Sequence, residues 1–172
     1  MSLTKHSLCF FVVISGSFLF SVHLNVAGAQ ENPVVLKGPA LIIDGDTLEV
    51  LEKRIRLHGI DAPERDQICK IGTNDWNCGI AAQEFLHQTL AGKIISCESQ
   101  GTDRYGRIIG ICMSLNLNIN STMVANGWAV AYRYYSNDYV PEEDSAKENR
   151  HGIWKGEFIT PYNWRRGVRW PN

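Results

Sequence analysis

Beyond residue 33, the first half of the chain is built of short apolar runs broken by turn residues. Residues 34–36, 40–43, 47–51 and 54–60 each read as a strand, separated by Gly38-Pro39, Asp44-Gly45-Asp46 and Glu52-Lys53. Turn chemistry at such close intervals predicts a small twisted sheet or barrel. At residues 80–90 the period changes: Ala81, Phe85, Leu86 and Leu90 recur at helical spacing, and Gly92 stands just past the end. An amphipathic helix with a glycine stop is expected there. Two more strands, 93–98 and 107–114, are joined by Gly101-Thr102-Asp103-Arg104-Tyr105-Gly106, whose polar and glycine content suits a hairpin.

Residues 117–126 predict a second helix closed by Gly127, followed by an aromatic-rich extended stretch or turn over 128–134. A third helix is signalled by Pro141 at a starting position, the acids Glu142-Glu143-Asp144, basic Lys147 and Arg150, and Gly152 as the stop. The tail, rich in Trp and Arg, is expected to wrap the surface. With no internal repeat and no second core, this order predicts an α+β, mainly β fold: a five-stranded OB-fold Greek-key barrel with about three helices.

The start of the chain stands apart. Lys5, an apolar run over residues 8–20 and the small residues Ala27-Gly28-Ala29 have the layout of a secretory signal peptide spanning 1–29. Ser15-Gly16-Ser17 interrupts the apolar run, which is shorter than the roughly 20 residues of a membrane span. Cleavage after Ala29 would leave residues 30–172 as one domain, secreted or periplasmic, without stable membrane insertion and expected to be a monomer. It would also remove Cys9 and leave Cys69, Cys78, Cys97 and Cys112 in an oxidising compartment, where two disulfides are the default. Four cysteines allow three pairings. The local one, Cys69 with Cys78 and Cys97 with Cys112, is the simplest, and an antiparallel pairing of 93–98 with 107–114 would bring Cys97 opposite Cys112. A zinc site finds little support, because there is no C-x-x-C pair and His58, His87 and His151 lack ligand spacing.

Composition adds a restriction. Seventeen Lys and Arg face 18 Asp and Glu, and loss of Lys5 with the leader makes the balance slightly more acidic. A globally basic polyanion magnet is excluded, so any phosphate binding must come from local arginines. Candidates are Arg54 and Arg56, Arg104 and Arg107, Arg133, and the tail group Arg165, Arg166 and Arg169, most of which read as solvated surface. Asp44-Gly45-Asp46-Thr47 and Asp61-Ala62-Pro63-Glu64 each follow an apolar strand and can gather carboxylates at one rim, with Arg56 between them. Acids and arginines together suit phosphodiester chemistry, in which charge building on phosphoryl oxygens must be neutralised. Carboxylates hold a hard cation, and a guanidinium can bridge two phosphoryl oxygens.

Ile43-Asp44-Gly45-Asp46-Thr47, Arg56-Leu57, Ile60-Asp61-Ala62-Pro63-Glu64 and Asp103-Arg104-Tyr105-Gly106-Arg107 resemble, in order and spacing, the signature blocks of the staphylococcal nuclease (thermonuclease) family. The similarity continues through Gly127-Trp128-Ala129-Val130-Ala131-Tyr132 and Gly152-Ile153-Trp154. The resemblance implies a calcium-dependent, sugar-nonspecific endonuclease acting on DNA and RNA and leaving 3′-phosphate products. It implies Ca2+ on Asp46, Asp61 and the Ala62 carbonyl, with Asp44 and Thr47 supporting the metal from outside. Arg56 and Arg107 would stabilise the five-coordinate transition state, and Glu64 would hold or deprotonate the attacking water. Arg104, Tyr105, Tyr132 and Tyr134 would meet the substrate. The segment between Cys69 and Cys78 matches nothing in the cysteine-free staphylococcal enzyme. Two other readings compete: a non-catalytic OB-fold binder of nucleic acid or another polyanion, and an envelope protein that kept the fold for polysaccharide export or handling.

Overall fold

The structure, a computed structural model, describes residues 34–171; the leader expected over 1–29 lies outside the described residues. The strands in chain order are β1 Val35–Pro39, β2 Leu41–Ile42, β3 Thr47–Val50, β4 Lys53–Leu57, β5 Ile60–Asp61, β6 Ile68–Ile71, β7 Asn74–Asn77, β8 Ile94–Thr102, β9 Ile108–Ser114, β10 Leu117–Asn118 and β11 Val130–Ala131. The α-helices are α1 Cys78–Leu90, α2 Ile119–Ala125, α3 Val140–Glu148 and α4 Pro161–Arg165, with a 3-10 turn at Gly152–Lys155. The main sheet runs β1-β8-β9-β4-β3-β2, with β10 on β9. Every pairing in it is antiparallel except that of β4 with β9.

This curled half-barrel is the expected OB-type, mainly β core. The curl brings β1 against β3: a Cβ on Gly38 in β1 would stand 3.3 Å from Val50 Cγ1 in β3. Leu48, Val50, Ile55 and Leu57 alternate into the interior with at most 1% exposure, and Leu86 of α1 and Ile119, Met123 and Val124 of α2 close it. Gly110 of β9 must lack a side chain, since a Cβ there would meet Ile55 Cγ2 at 2.8 Å. Cys97 and Cys112 face each other in register and are disulfide-bonded inside this core.

Several boundaries differ from expectation. Gly38-Pro39 lies within β1 rather than in a turn, as an edge strand permits. The cysteine segment is a hairpin of β6 and β7, closed by the Cys69–Cys78 disulfide at the start of α1. That helix begins two residues earlier than its apolar spacing predicts, because Asn77 Oδ1 accepts the Ile80 N–H at 2.9 Å and caps it. The tail contains a fourth helix, α4, capped by the Thr160 hydroxyl and opened by Pro161. No described helix is long and apolar enough to cross a membrane.

Candidate active site

The two acidic motifs meet because each leaves the sheet beside the other. A Cβ on Gly45 would stand 2.7 Å from Ala62 Cβ, so glycine lets the Asp44–Thr47 turn lie against the Asp61-Ala62 backbone. Asp44 Oδ1 accepts the Asp46 N–H at 2.9 Å and folds the turn on itself. Asp46 is then inserted: its Oδ2 accepts the Ala62 N–H at 2.8 Å and its Oδ1 accepts the Thr47 hydroxyl at 3.1 Å. Register in the β3–β4 pair puts Thr47 opposite Arg56. The Arg56 guanidinium pairs with Asp46 through Nη1, while Nη2 donates to Asp61 Oδ1 at 2.8 Å. Asp46 and Asp61 are 6% and 1% exposed, so this arginine bridges two carboxylates withdrawn from water.

Arg107 arrives from the other side. In the β8–β9 connection, Asp103 accepts the backbone N–H groups of Tyr105 and Arg107 through Oδ1 and the Arg107 Nε–H through Oδ2, at 2.8 to 3.0 Å. This brings Arg107 Nη1 to 3.5 Å from Thr47 Oγ1, the outer limit of a hydrogen bond. Arg104 and Tyr105 keep company with each other, Arg104 Nη2 donating to the Tyr105 hydroxyl at 2.6 Å on an exposed loop tip. Val130 opposes Asp61 in the β5–β11 pair, and Tyr132, two residues on, donates its N–H to the Gly59 carbonyl at 2.8 Å. Its ring clusters with the exposed rings of Tyr134 and Tyr135 at centroid distances of 6.3 and 5.2 Å.

Glu64 is held where α1 meets the loop after β5. Its backbone carbonyl packs so closely on Gly79 that any Cβ there would collide with it. The Glu64 side chain meets neither Arg56 nor Arg107. It pairs with Arg165 Nη1 at 2.8 Å, and the same Arg165 is bidentate to Asp61, Nη1 to Oδ1 and Nη2 to Oδ2, both at 2.9 Å. Arg165 is therefore not the unpaired surface charge its place in a basic tail suggests but, still 36% exposed, a third arginine on the acidic rim. The one sequence signal for it is the Thr160-Pro161 helix start that fixes α4.

Electrostatics at the rim are crowded. Burial alone would raise the Asp46 pKa, but the Arg56 charge and hydrogen bond outweigh it and hold Asp46 below the usual carboxylate range. For Asp61 burial is the largest influence, and with the charge of Asp46 it prevails over the two arginines and raises the pKa. Asp44 is pushed up to about 6, by burial first and then by Asp46. Burial opposes the charge on Arg56 and Arg165, yet the carboxylates hold both more firmly protonated than usual.

A hard divalent cation fits this donor set. Two buried carboxylates converge, a hydroxyl and the Ala62 backbone adjoin them, and Asp46 still repels Asp44 and Asp61, a repulsion that a cation would relieve. No group of three His, Cys, Asp or Glu side chains is poised for a metal among the described residues, so water or substrate oxygens would have to complete the shell.

The staphylococcal nuclease homologue family model matches residues 54–156 of this chain. The chain belongs to the staphylococcal nuclease family. Its relatives include an uncharacterized endonuclease of Escherichia coli, 33% identical over 72% of this chain and 80% of the relative. The micrococcal nuclease of Shigella flexneri is 32% identical over 74% and 79%. The succinoglycan biosynthesis protein ExoI of Rhizobium meliloti (strain 1021) is 37% identical over 76% and 69%. Family membership and the nuclease-named relatives make this family member a nuclease hydrolase. The match stops at residue 156, so α4 and Arg165 lie beyond it.

Proposed function

We propose that the protein is a calcium-dependent endonuclease that hydrolyses phosphodiester bonds of DNA and RNA outside the cytoplasm, after removal of residues 1–29. The observation that carries this reading is Arg56 spanning the buried Asp46 and Asp61, with Arg107 reaching Thr47 from the opposite side. A pure polyanion binder gains nothing from buried carboxylates facing its ligand, because they repel it unless a cation intervenes. Asp46, Asp61 and the Ala62 carbonyl would hold Ca2+, supported by Asp44 and Thr47, and bound Ca2+ would supply charge neutralisation at a phosphoryl oxygen.

The chain's own residues do the rest. Arg56 and Arg107 hold the phosphate between them, and their charge is worth most as negative charge grows on the equatorial oxygens. Glu64 orients the attacking water or accepts its proton, and Arg165 fixes the Glu64 carboxylate beside Asp61. The water oxygen bonds to phosphorus as the bond to the 5′ oxygen breaks, and that oxygen takes a proton, leaving a 3′-phosphate and a 5′-hydroxyl. Tyr132 and Tyr134 offer aromatic faces to the bases, and Arg104 and Tyr105 meet the strand from the loop tip.

The test is cleavage of single-stranded DNA, duplex DNA and RNA by oxidised residues 30–172, with Ca2+ or with a chelator, beside Arg107→Ala. Ca2+-dependent cleavage that collapses in the variant is the expected result, with end analysis giving 3′-phosphates. Strand binding without cleavage under any divalent ion would instead identify a binder. A polysaccharide arm is included because one relative is named for succinoglycan biosynthesis.

A further inference from the structure

The tail is anchored far more firmly than a surface wrapping requires. Lys70 in β6 and Glu157 exchange both backbone hydrogen bonds, at 2.8 and 2.9 Å, and Gly156 packs against the Lys70 carbonyl with no room for a side chain. Gln67 Nε2 donates to the Ile159 carbonyl at 2.6 Å, Trp164 Nε1 to Asp66 at 3.3 Å and Trp170 Nε1 to the Ile68 carbonyl at 3.1 Å. Trp164 is buried, and the Arg169 guanidinium stacks on its ring at 3.8 Å. All these anchor points lie on the segment leading into the disulfide-closed hairpin or on the hairpin itself, which turns residues 157–170 into a fixed wall.

Between that wall and the barrel lies a cleft of about 700 Å³ that has Asp61 in its lining, within the range of small-ligand sites. Tyr132 lines it from the barrel, and Phe158, Tyr162 and Trp170 line it from the tail. None of its lining residues comes from the Asp103–Arg107 loop. Arg133 is in the lining but is paired with Glu143 at 2.6 Å, while Arg166, outside the lining, lies 5.5 Å from the Tyr162 ring centroid. Aromatic faces that share Asp61 with the acidic rim, with Arg166 beside the Tyr162 ring, suit an unstacked nucleotide, whose base stacks while its phosphate meets a guanidinium.

We propose that residues 157–170 build a nucleotide subsite in this cleft, which takes a base of the substrate strand next to the phosphate being cleaved, with Tyr162 as its stacking residue. The proposal rests on the nuclease reading for its ligand, but not on the metal or on the assignment of catalytic roles. Tyr162 is 46% exposed, and Arg166 is its one polar side-chain partner among the described residues, so truncating it leaves the anchors of the wall in place.

The experiment uses the full oxidised chain from residue 30 and a short phosphorothioate single strand, read by fluorescence anisotropy in chelator, together with KM on the cleavable strand. Tyr162→Ala should raise Kd and KM by about tenfold, the order expected for one lost base stack, while Tyr162→Phe stays within twofold of wild type. In the unsubstituted chain the strand should quench tryptophan fluorescence, and Trp170→Phe should remove part of that quenching. Binding and KM within twofold of wild type in Tyr162→Ala, with no quenching change in Trp170→Phe, would overturn the subsite. Arg107→Ala keeps the two readings apart: lost cleavage with Tyr162-dependent binding retained supports the subsite, and so does Tyr162-dependent binding in a chain that cleaves nothing.

Discussion

The cleft at Asp61 has two sides held in place by different means. On the barrel side, Asp61 of the lining and the Asp46 and Arg56 behind it are set by strand register and burial: Thr47 opposes Arg56, and both carboxylates are buried. On the tail side, Tyr162 and Trp170 belong to a segment with one five-residue helix, hung on the hairpin by a handful of backbone and indole hydrogen bonds. Charged groups that must keep sub-ångström geometry sit on elements that cannot move without opening the core. The groups proposed to meet a variable strand sit on a segment outside the family match, which spans residues 54–156 and also leaves out Asp46.

The sharpest way to break this comparison is Arg56→Ala. It leaves two carboxylates buried around a missing cation, so cleavage should fall by about 10²- to 10³-fold and stability by roughly 3–5 kcal/mol. Turnover on single-stranded DNA and the urea midpoint measure the two losses. An Arg56→Ala protein of wild-type stability would show that Arg165 alone suffices to neutralise the rim, and the barrel side would then not be the rigid one.

The two disulfides divide along the same line. Cys97–Cys112 joins facing core strands across a separation of 15 residues, and replacing both cysteines with Ala should cost about 3 kcal/mol. Cys69–Cys78 closes a separation of 9 residues, with an entropic contribution only slightly smaller, about 2.5 kcal/mol. Their functional effects should differ more than their stabilities. At a temperature where both variants are fully folded, the core pair should leave KM for a single strand unchanged. The hairpin pair should raise it several-fold, because the tail wall hangs on β6. Equal KM values would mean that the hairpin holds its shape without the bond.

How much of each side was legible follows from the same physics. The acidic turns, Arg56 and the barrel strands show in the sequence because alternation and turn residues report burial and register directly. Cys97 opposite Cys112 is likewise a consequence of pairing adjacent strands. The β6–β7 hairpin is hidden because Asn74-Asp75-Trp76-Asn77 carries no apolar alternation, and α4 is hidden because five residues show no period. Arg165 is hardest to read: it lies 101 residues after Glu64, and no local pattern states where a side chain docks at that distance.

Arg165→Ala should have a smaller, directional effect. Its guanidinium competes with any cation for Asp61, and at an effective dielectric of 20, discounted for its partial exposure, removing it should tighten Ca2+ binding by about 1 kcal/mol, roughly fivefold in Kd. Calorimetric titration of the oxidised protein with Ca2+ reads this without any turnover. Weaker binding would mean that Arg165 serves to orient Asp61 rather than to compete for it, and the tail would then belong to the catalytic side of the comparison.

The smallest effect concerns the second arginine of the barrel side. Unlike Arg56, Arg107 is steered by an acid near solvent. Burial nudges the Asp103 pKa upward, but the Arg107 side chain and the Arg107 and Tyr105 N–H groups outweigh it and hold the carboxyl below its ordinary value. With the folded pKa below the unfolded one, the unfolded chain binds more protons in between, so the contribution is complete above about pH 4 and is lost as pH falls through the folded pKa. Asp103→Asn should therefore cost less than about 1 kcal/mol at neutral pH, and the gap from wild type should close below pH 4 in urea titrations. A gap of several kcal/mol, or one that persists at low pH, would mean that Arg107 is fixed as deeply as Arg56 and that the barrel side is uniform. A small gap that also shrinks with added salt would make Arg107 the adjustable member of the pair, free to follow a phosphate that Arg56 cannot move to meet.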